Sequence, residues 1–66
     1  MSYKAGIKVT GETGLSYNAL RFATPEETTA YAKDLFSRWM AMTGFEVVAS
    51  EDAVNYKFVD GQLSSL

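Results

Sequence analysis

The stretch from Thr24 to Gly44, TPEETTAYAKDLFSRWMAMTG, decides the fold. It opens with Thr24-Pro25-Glu26-Glu27, a capping box with proline at the first helical position. The Thr24 hydroxyl is placed to accept the Glu27 N–H, and the Glu27 side chain to reach back. Pro25 loses nothing there, because its N–H would have no partner in a first turn. Glu26 and Glu27 sit at the positive end of the helix dipole. Gly44 is the natural stop, so the pattern predicts a helix from about Pro25 to about Thr43. At about 100° per residue, Tyr31, Met42, Leu35, Thr28, Trp39, Ala32, Phe36 and Met40 fall within half a turn. Lys33, Ser37, Glu26, Asp34, Glu27 and Arg38 fill the other half. The helix is therefore amphipathic, with a wide apolar arc centred near Leu35 and Trp39.

Strand patterns flank it on both sides. Ala5 to Thr10 alternates, with Ile7 and Val9 on one face and Lys8 and Thr10 on the other. Gly11-Glu12-Thr13-Gly14 is a turn, and Ser16 to Phe22 alternates again, which predicts a hairpin. After the helix, Phe45 to Ser50 and Val54 to Val59 read as two further strands, and Asp60-Gly61 ends the last one. One helix cannot cover its own apolar face, and one sheet cannot either. The expected fold is an α+β two-layer sandwich in the order strand-strand-helix-strand-strand, with one helix on a mostly antiparallel four-stranded sheet. Residues 1–61 are expected to form the single domain and residues 62–66 a flexible tail. The expected core is Ile7, Val9, Leu20, Phe22, Tyr31, Leu35, Trp39, Met42, Phe45, Val47, Tyr56 and Phe58.

Composition narrows the chemistry. In 66 residues, 47% are hydrophobic, enough for a core and too many for a disordered acidic tail. Cysteine and histidine are both absent. That removes thiolate nucleophiles, thiolate metal sites, and the commonest general base and metal ligand. The loop Gly11–Gly14 joins two strands and lacks the Gly-Lys-Ser/Thr of a phosphate-binding loop. Glu51, Asp52 and Asp60 lack the ligand spacing of a calcium loop and read as solvated turns. The serines have no histidine to activate them, and a chain this short has little room for an enclosed pocket. No enzyme activity, catalytic residue, cofactor or metal is expected. No stretch approaches the roughly 20 apolar residues of a membrane span, and Met1–Gly6 has no signal-peptide run. The expected setting is the cytoplasm.

Two groups of residues have content beyond the core. Lys4, Lys8, Tyr17, Arg21 and Lys57 fall on the predicted sheet face away from the helix, with four of the six basic residues among them. Such a face suits an acidic partner or a stacked single-stranded base. The competing reading is a solvated sheet face, and the chain's net charge of −2 favours it. Phe36 and Met40 lie at the margin of the apolar arc. They read either as rim residues of the core or as a self-association contact. A domain of this size without disulfides gains from oligomerisation, so a homodimer is expected, through Phe36 and Met40 or through an open sheet edge.

The runs Asn18-Ala19-Leu20-Arg21-Phe22-Ala23-Thr24-Pro25-Glu26-Glu27, Ala30-Tyr31-Ala32-Lys33-Asp34-Leu35, Arg38-Trp39 and Val47-Val48-Ala49-Ser50-Glu51-Asp52-Ala53-Val54-Asn55-Tyr56, closing with Asp60-Gly61, carry a resemblance. From Asn18 to Gly61 the chain resembles a group of short uncharacterised proteins of bacteriophages, cyanophages among them, and of some bacteria. The resemblance implies a compact viral accessory protein acting on a host component in the host cytoplasm. It supplies no mechanism and no functional residue. The first functional expectation is a non-catalytic protein-binding module, as a phage-encoded modulator of a host protein. The alternatives are a small nucleic-acid-binding protein using the basic sheet face, and an oligomeric structural or assembly component.

Overall fold

The computed structural model describes residues 1–66, in the order β1 (Ser2–Val9), α1 (Pro25–Arg38), β2 (Met42–Ser50), β3 (Tyr56–Val59) and β4 (Gln62–Ser65). The strands form two antiparallel two-stranded sheets, sheet A from β1 and β2 and sheet B from β3 and β4. Helix α1 packs against β1, β2 and β3, and so against both sheets. The α+β composition agrees with the sequence, but the single four-stranded sheet does not.

The second expected strand is where the sheet breaks. Residues 16–22 meet β1 only at two bridges, Ile7 with Ser16 and Tyr3 with Phe22. Between the bridges the chain uses five residues, 17–21, against three on β1, 4–6. The surplus is taken up by Asn18, whose side-chain oxygen accepts the Leu20 N–H at 3.0 Å. That turn competes with a ladder for the same backbone. The bulged segment then meets β3 through a single carbonyl. Arg21 O accepts the N–H groups of both Asn55 (3.1 Å) and Tyr56 (3.2 Å). The Asn55 side chain completes the junction, accepting from Arg21 N–H at 2.7 Å and donating to Ala19 O at 2.8 Å. Asn55 thus ties the start of sheet B to the segment that is bridged to β1.

The helix starts where its cap demands. Thr24 is extended, and its hydroxyl accepts the Glu27 N–H at 3.1 Å. The capping box predicts that the Glu27 side chain reaches back to Thr24, and it does not. Its Oε1 accepts the Phe58 N–H of β3 at 2.7 Å instead. The helix ends at Arg38, five residues before Thr43. Trp39 is extended, and its N–H closes the last turn on Leu35 O at 3.0 Å. The chain turns sharply, Met42 N–H donating to Trp39 O, and Thr10 donates to Ala41 O from both its N–H and its hydroxyl. Pairing of Met42–Ser50 with β1 therefore replaces the last helical turn. Gly44 is no helix stop. It lies in β2 opposite Lys8, beside a bulge that sets Met42 opposite Val9.

The core is built from Ala5, Ile7, Phe22, Tyr31, Ala32 and Met42, with Val9, Leu20, Leu35, Phe45, Tyr56 and Phe58 packed on it. Ala5 and Ala32 were not expected there. Both are small and almost fully buried. Tyr31 is the hub, its ring 5.2 Å from Phe22 and 6.0 Å, edge-on, from Phe58. It joins the core under sheet A to sheet B, and its hydroxyl accepts from Asn18 Nδ2 at 3.1 Å. Trp39, expected at the centre, is 41% exposed because it lies one residue past the helix. Residues 62–66, expected as a flexible tail, include β4. The Asp60-Gly61 turn has positive φ at both residues (53° and 76°), the backbone of a tight two-residue hairpin.

Candidate functional site

The basic residues Lys4, Lys8, Tyr17, Arg21 and Lys57 do not share one face of one sheet. Residues of β1 with even numbers face away from α1, and Leu15 and Tyr17 fold over that side at Gly6. A Cβ on Gly6 would stand 2.8 Å from Leu15 Cδ1 and 3.1 Å from Tyr17 Cε1, so glycine is needed for this approach. Lys4 Nζ lies 4.5 Å above the Tyr17 ring, a cation–π contact. Lys8 pairs with Glu46 at 3.8 Å, an exposed pair of small energetic weight.

Arg21 is embedded, with a side chain only 14% exposed. Its Nη1 donates to the carbonyls of Asn18 (2.6 Å) and Leu20 (3.0 Å), and its Nε to Asp52 Oδ2 at 3.0 Å. The guanidinium therefore braces the bulge that it sits in. The Arg21 hydrogen bond, then the Ser50 hydroxyl, hold the Asp52 carboxyl below the usual carboxylate range, and Lys4 adds a small push in the same direction. Lys57 is exposed on sheet B, opposite Ser64. The structure sets Lys4 over Tyr17 and Arg21 against Asp52, pairs Lys8 separately, and leaves Lys57 on the other sheet.

The second candidate surface lies at the C-terminal end of α1. Phe36 is 44% exposed and Met40 99% exposed. Phe36 packs edge-on against Phe45 of β2 at 6.4 Å. Trp39 joins them, and sequence reasoning missed it by extending the helix too far. A shallow cleft of about 160 Å³ opens between Trp39 and Tyr17, floored by Ile7 and Leu35 with Ser16 and Asn18 at its edge. It is smaller than a typical small-molecule site. A larger open cleft, about 500 Å³, lies between α1 and the β3–β4 hairpin, with Tyr31, Phe58 and Leu63 as its apolar wall and the Asp34–Arg38 pair at its rim.

No cluster of three or more acidic side chains is placed to hold a metal ion. No helix is long and apolar enough to cross a membrane. No family model, no curated protein and no solved structure matches the chain.

Proposed function

We propose that the protein is a protein-binding module that docks through the exposed end of α1, with Trp39 and Met40 as its anchors and Phe36 at the margin. The observation that carries this reading is the exposure of an aromatic, a methionine and a second aromatic within five consecutive residues, 36–40. Clustered exposed apolar side chains mark contact surfaces, and tryptophan is the residue most often found at the energetic centre of one. Methionine adapts to an irregular partner surface. The cleft beside Trp39 gives a partner side chain a place to insert. The proposed partner is a host protein, as the expected resemblance of residues 18–61 to short phage proteins would imply.

The test is affinity capture from host lysate with the intact chain and with the double variant Trp39→Ala, Met40→Glu, its fold checked by circular dichroism. A protein recovered at fixed stoichiometry by the native chain and lost with the variant is the expected result. Equal recovery by both overturns the reading. Recovery that disappears on nuclease treatment replaces it with nucleic-acid binding.

A further inference from the structure

Two sheets of two strands have four edges. The outer edge of β1 is met at Ser16 and Phe22. The outward N–H groups of β3, at Tyr56 and Phe58, are taken by Arg21 O and Glu27 Oε1. β4 is four residues long and exposed throughout, a short edge of the kind that resists pairing. The outer edge of β2 is different. It is nine residues long, carries no proline, and has one charged residue, Glu46. Of the usual devices that block an edge it has only that one charge and the bulge at its first residues.

Which backbone groups it offers follows from β1. Tyr3 and Ile7 exchange both their hydrogen bonds with Phe22 and Ser16, on the side away from β2. Their β2 partners, Ala49 and Phe45, are therefore non-hydrogen-bonded pairs whose N–H and C=O groups point outward. Val47, between them, does the same. Glu46 and Val48 point inward to Gly6 and Lys4.

We infer that β2 pairs with β2 of a second copy of this chain, antiparallel and about a two-fold axis at Val47. Charge and length choose the register. Centring on Glu46 would set two carboxylates opposite each other, which is unfavourable. Centring on Val48 would pair Phe45 with Glu51, beyond the strand end. Centring on Val47 uses all three outward residues, Phe45 with the partner's Ala49, Val47 with the partner's Val47, and Ala49 with the partner's Phe45. Each such pair exchanges two bonds, about six in all. Glu46 then lies opposite the partner's Val48. On the helix side, Phe45 of each copy, already against Phe36, extends an apolar seam across the junction.

The register pairs Gly44 to Ser50 of each copy, about seven residues spanning about 24 Å. The contact is a narrow strip held mainly by backbone hydrogen bonds, so the dimer belongs to the small, weakly associating class of interface. The gain is largest for a chain with a small interior, and only 9 of 66 residues are buried in the single copy.

The experiment uses the full chain. Sedimentation across a concentration series reads the mass, and amide hydrogen exchange at low and high concentration reads the surface. The expected result is a dimer whose formation protects the amides of Phe45, Val47 and Ala49, while those of Glu46 and Val48 are protected at every concentration. Val48→Glu is expected to weaken the dimer about threefold to thirtyfold, because the new like-charge pair with Glu46 occurs twice across the axis. Val48→Lys is expected to strengthen it by a similar factor. Circular dichroism confirms that each variant is folded. A mass that stays at one chain up to high micromolar concentration overturns the inference. So does a dimer whose formation leaves the Phe45, Val47 and Ala49 amides unprotected, or one weakened equally by Val48→Lys and Val48→Glu. The Trp39→Ala, Met40→Glu variant is expected to dimerise normally, which keeps this surface distinct from the docking end of α1.

Discussion

Phe22→Ala is the substitution that tests the packing most directly. Phe22 is fully buried and is the largest side chain in the molecule with that property. Its ring lies against Tyr31, the residue that connects both sheets to α1. Removing it takes away the transfer energy of a whole ring and leaves a cavity that Tyr31 and Phe58 cannot fill without parting the sheets. The cost is about 3–5 kcal/mol. A domain of 66 residues has about 3–10 kcal/mol of total stability. Phe22→Ala is therefore expected to be unfolded or nearly so at 25 °C. Trp39→Ala loses a side chain that is already two-fifths in water, and about 1–2 kcal/mol is expected. Urea unfolding followed by far-ultraviolet circular dichroism compares the two, with Phe22→Leu as a milder change that keeps the first measurable. The order is what matters, because the helical arc read from sequence placed Trp39 at the core centre. A Trp39→Ala loss equal to or larger than that of Phe22→Ala would refute the packing described.

Other outcomes follow from the same contacts. Thr24→Ala removes the acceptor for the Glu27 N–H and is expected to cost about 1 kcal/mol. In a domain this small that is a fall of about 4–8 °C in melting temperature, and an unchanged melting curve counts against the cap. Glu27→Ala leaves the Phe58 N–H without its acceptor, at a cost of about 1–2 kcal/mol. Faster exchange of the Phe58 amide is the direct readout, Glu27→Gln should restore slow exchange, and wild-type exchange in Glu27→Ala would show that the bond does not hold β3. Asp52→Asn tests the Arg21 bridge through pH. The folded-state pKa of Asp52 lies below its ordinary value of 3.8, so the ionised form favours folding. That contribution is complete above the ordinary value and is lost as pH falls through the lowered one. The stability gap between wild type and Asp52→Asn should hold steady near neutrality, close in strong acid, and be small because the carboxylate is largely exposed to solvent. A gap that widens with acid would refute it.

What the sequence determined by itself is local. The helix start needs only Thr24, Pro25 and the Glu27 amide within one turn of each other, so the motif carries its own geometry. The alternation of Ile7 and Val9 with Lys8 gives the faces of β1, because a strand half-covered by a helix has a period of two wherever it lies, but it misses the strand's first three residues, Ser2 to Lys4. Asp60-Gly61 ends β3 as its turn residues indicate, but the strand that follows, β4, was expected as a tail. Most of the core was legible for the same reason, since apolar residues at helical or strand spacing have one face to bury.

The tertiary structure decided what depends on a distant partner. Met40 to Thr43 continue the helical pattern well, yet hydrogen bonds from Thr10 to Ala41 and the pairing of β2 with β1 end the helix at Arg38. That five-residue difference moves Trp39 from the core to the surface. Residues 16–22 alternate like a strand, but the Asn18 turn and the Arg21–Asn55 junction bend them out of register, and one sheet becomes two. The Glu27 carboxylate had a local acceptor role open to it and took the Phe58 amide 31 residues away. Arg21 has the charge of a binding residue and a position that braces its own loop. Pattern and propensity sum energies within a few residues. Where two arrangements are locally close in energy, contacts between remote segments are larger than the difference and choose between them.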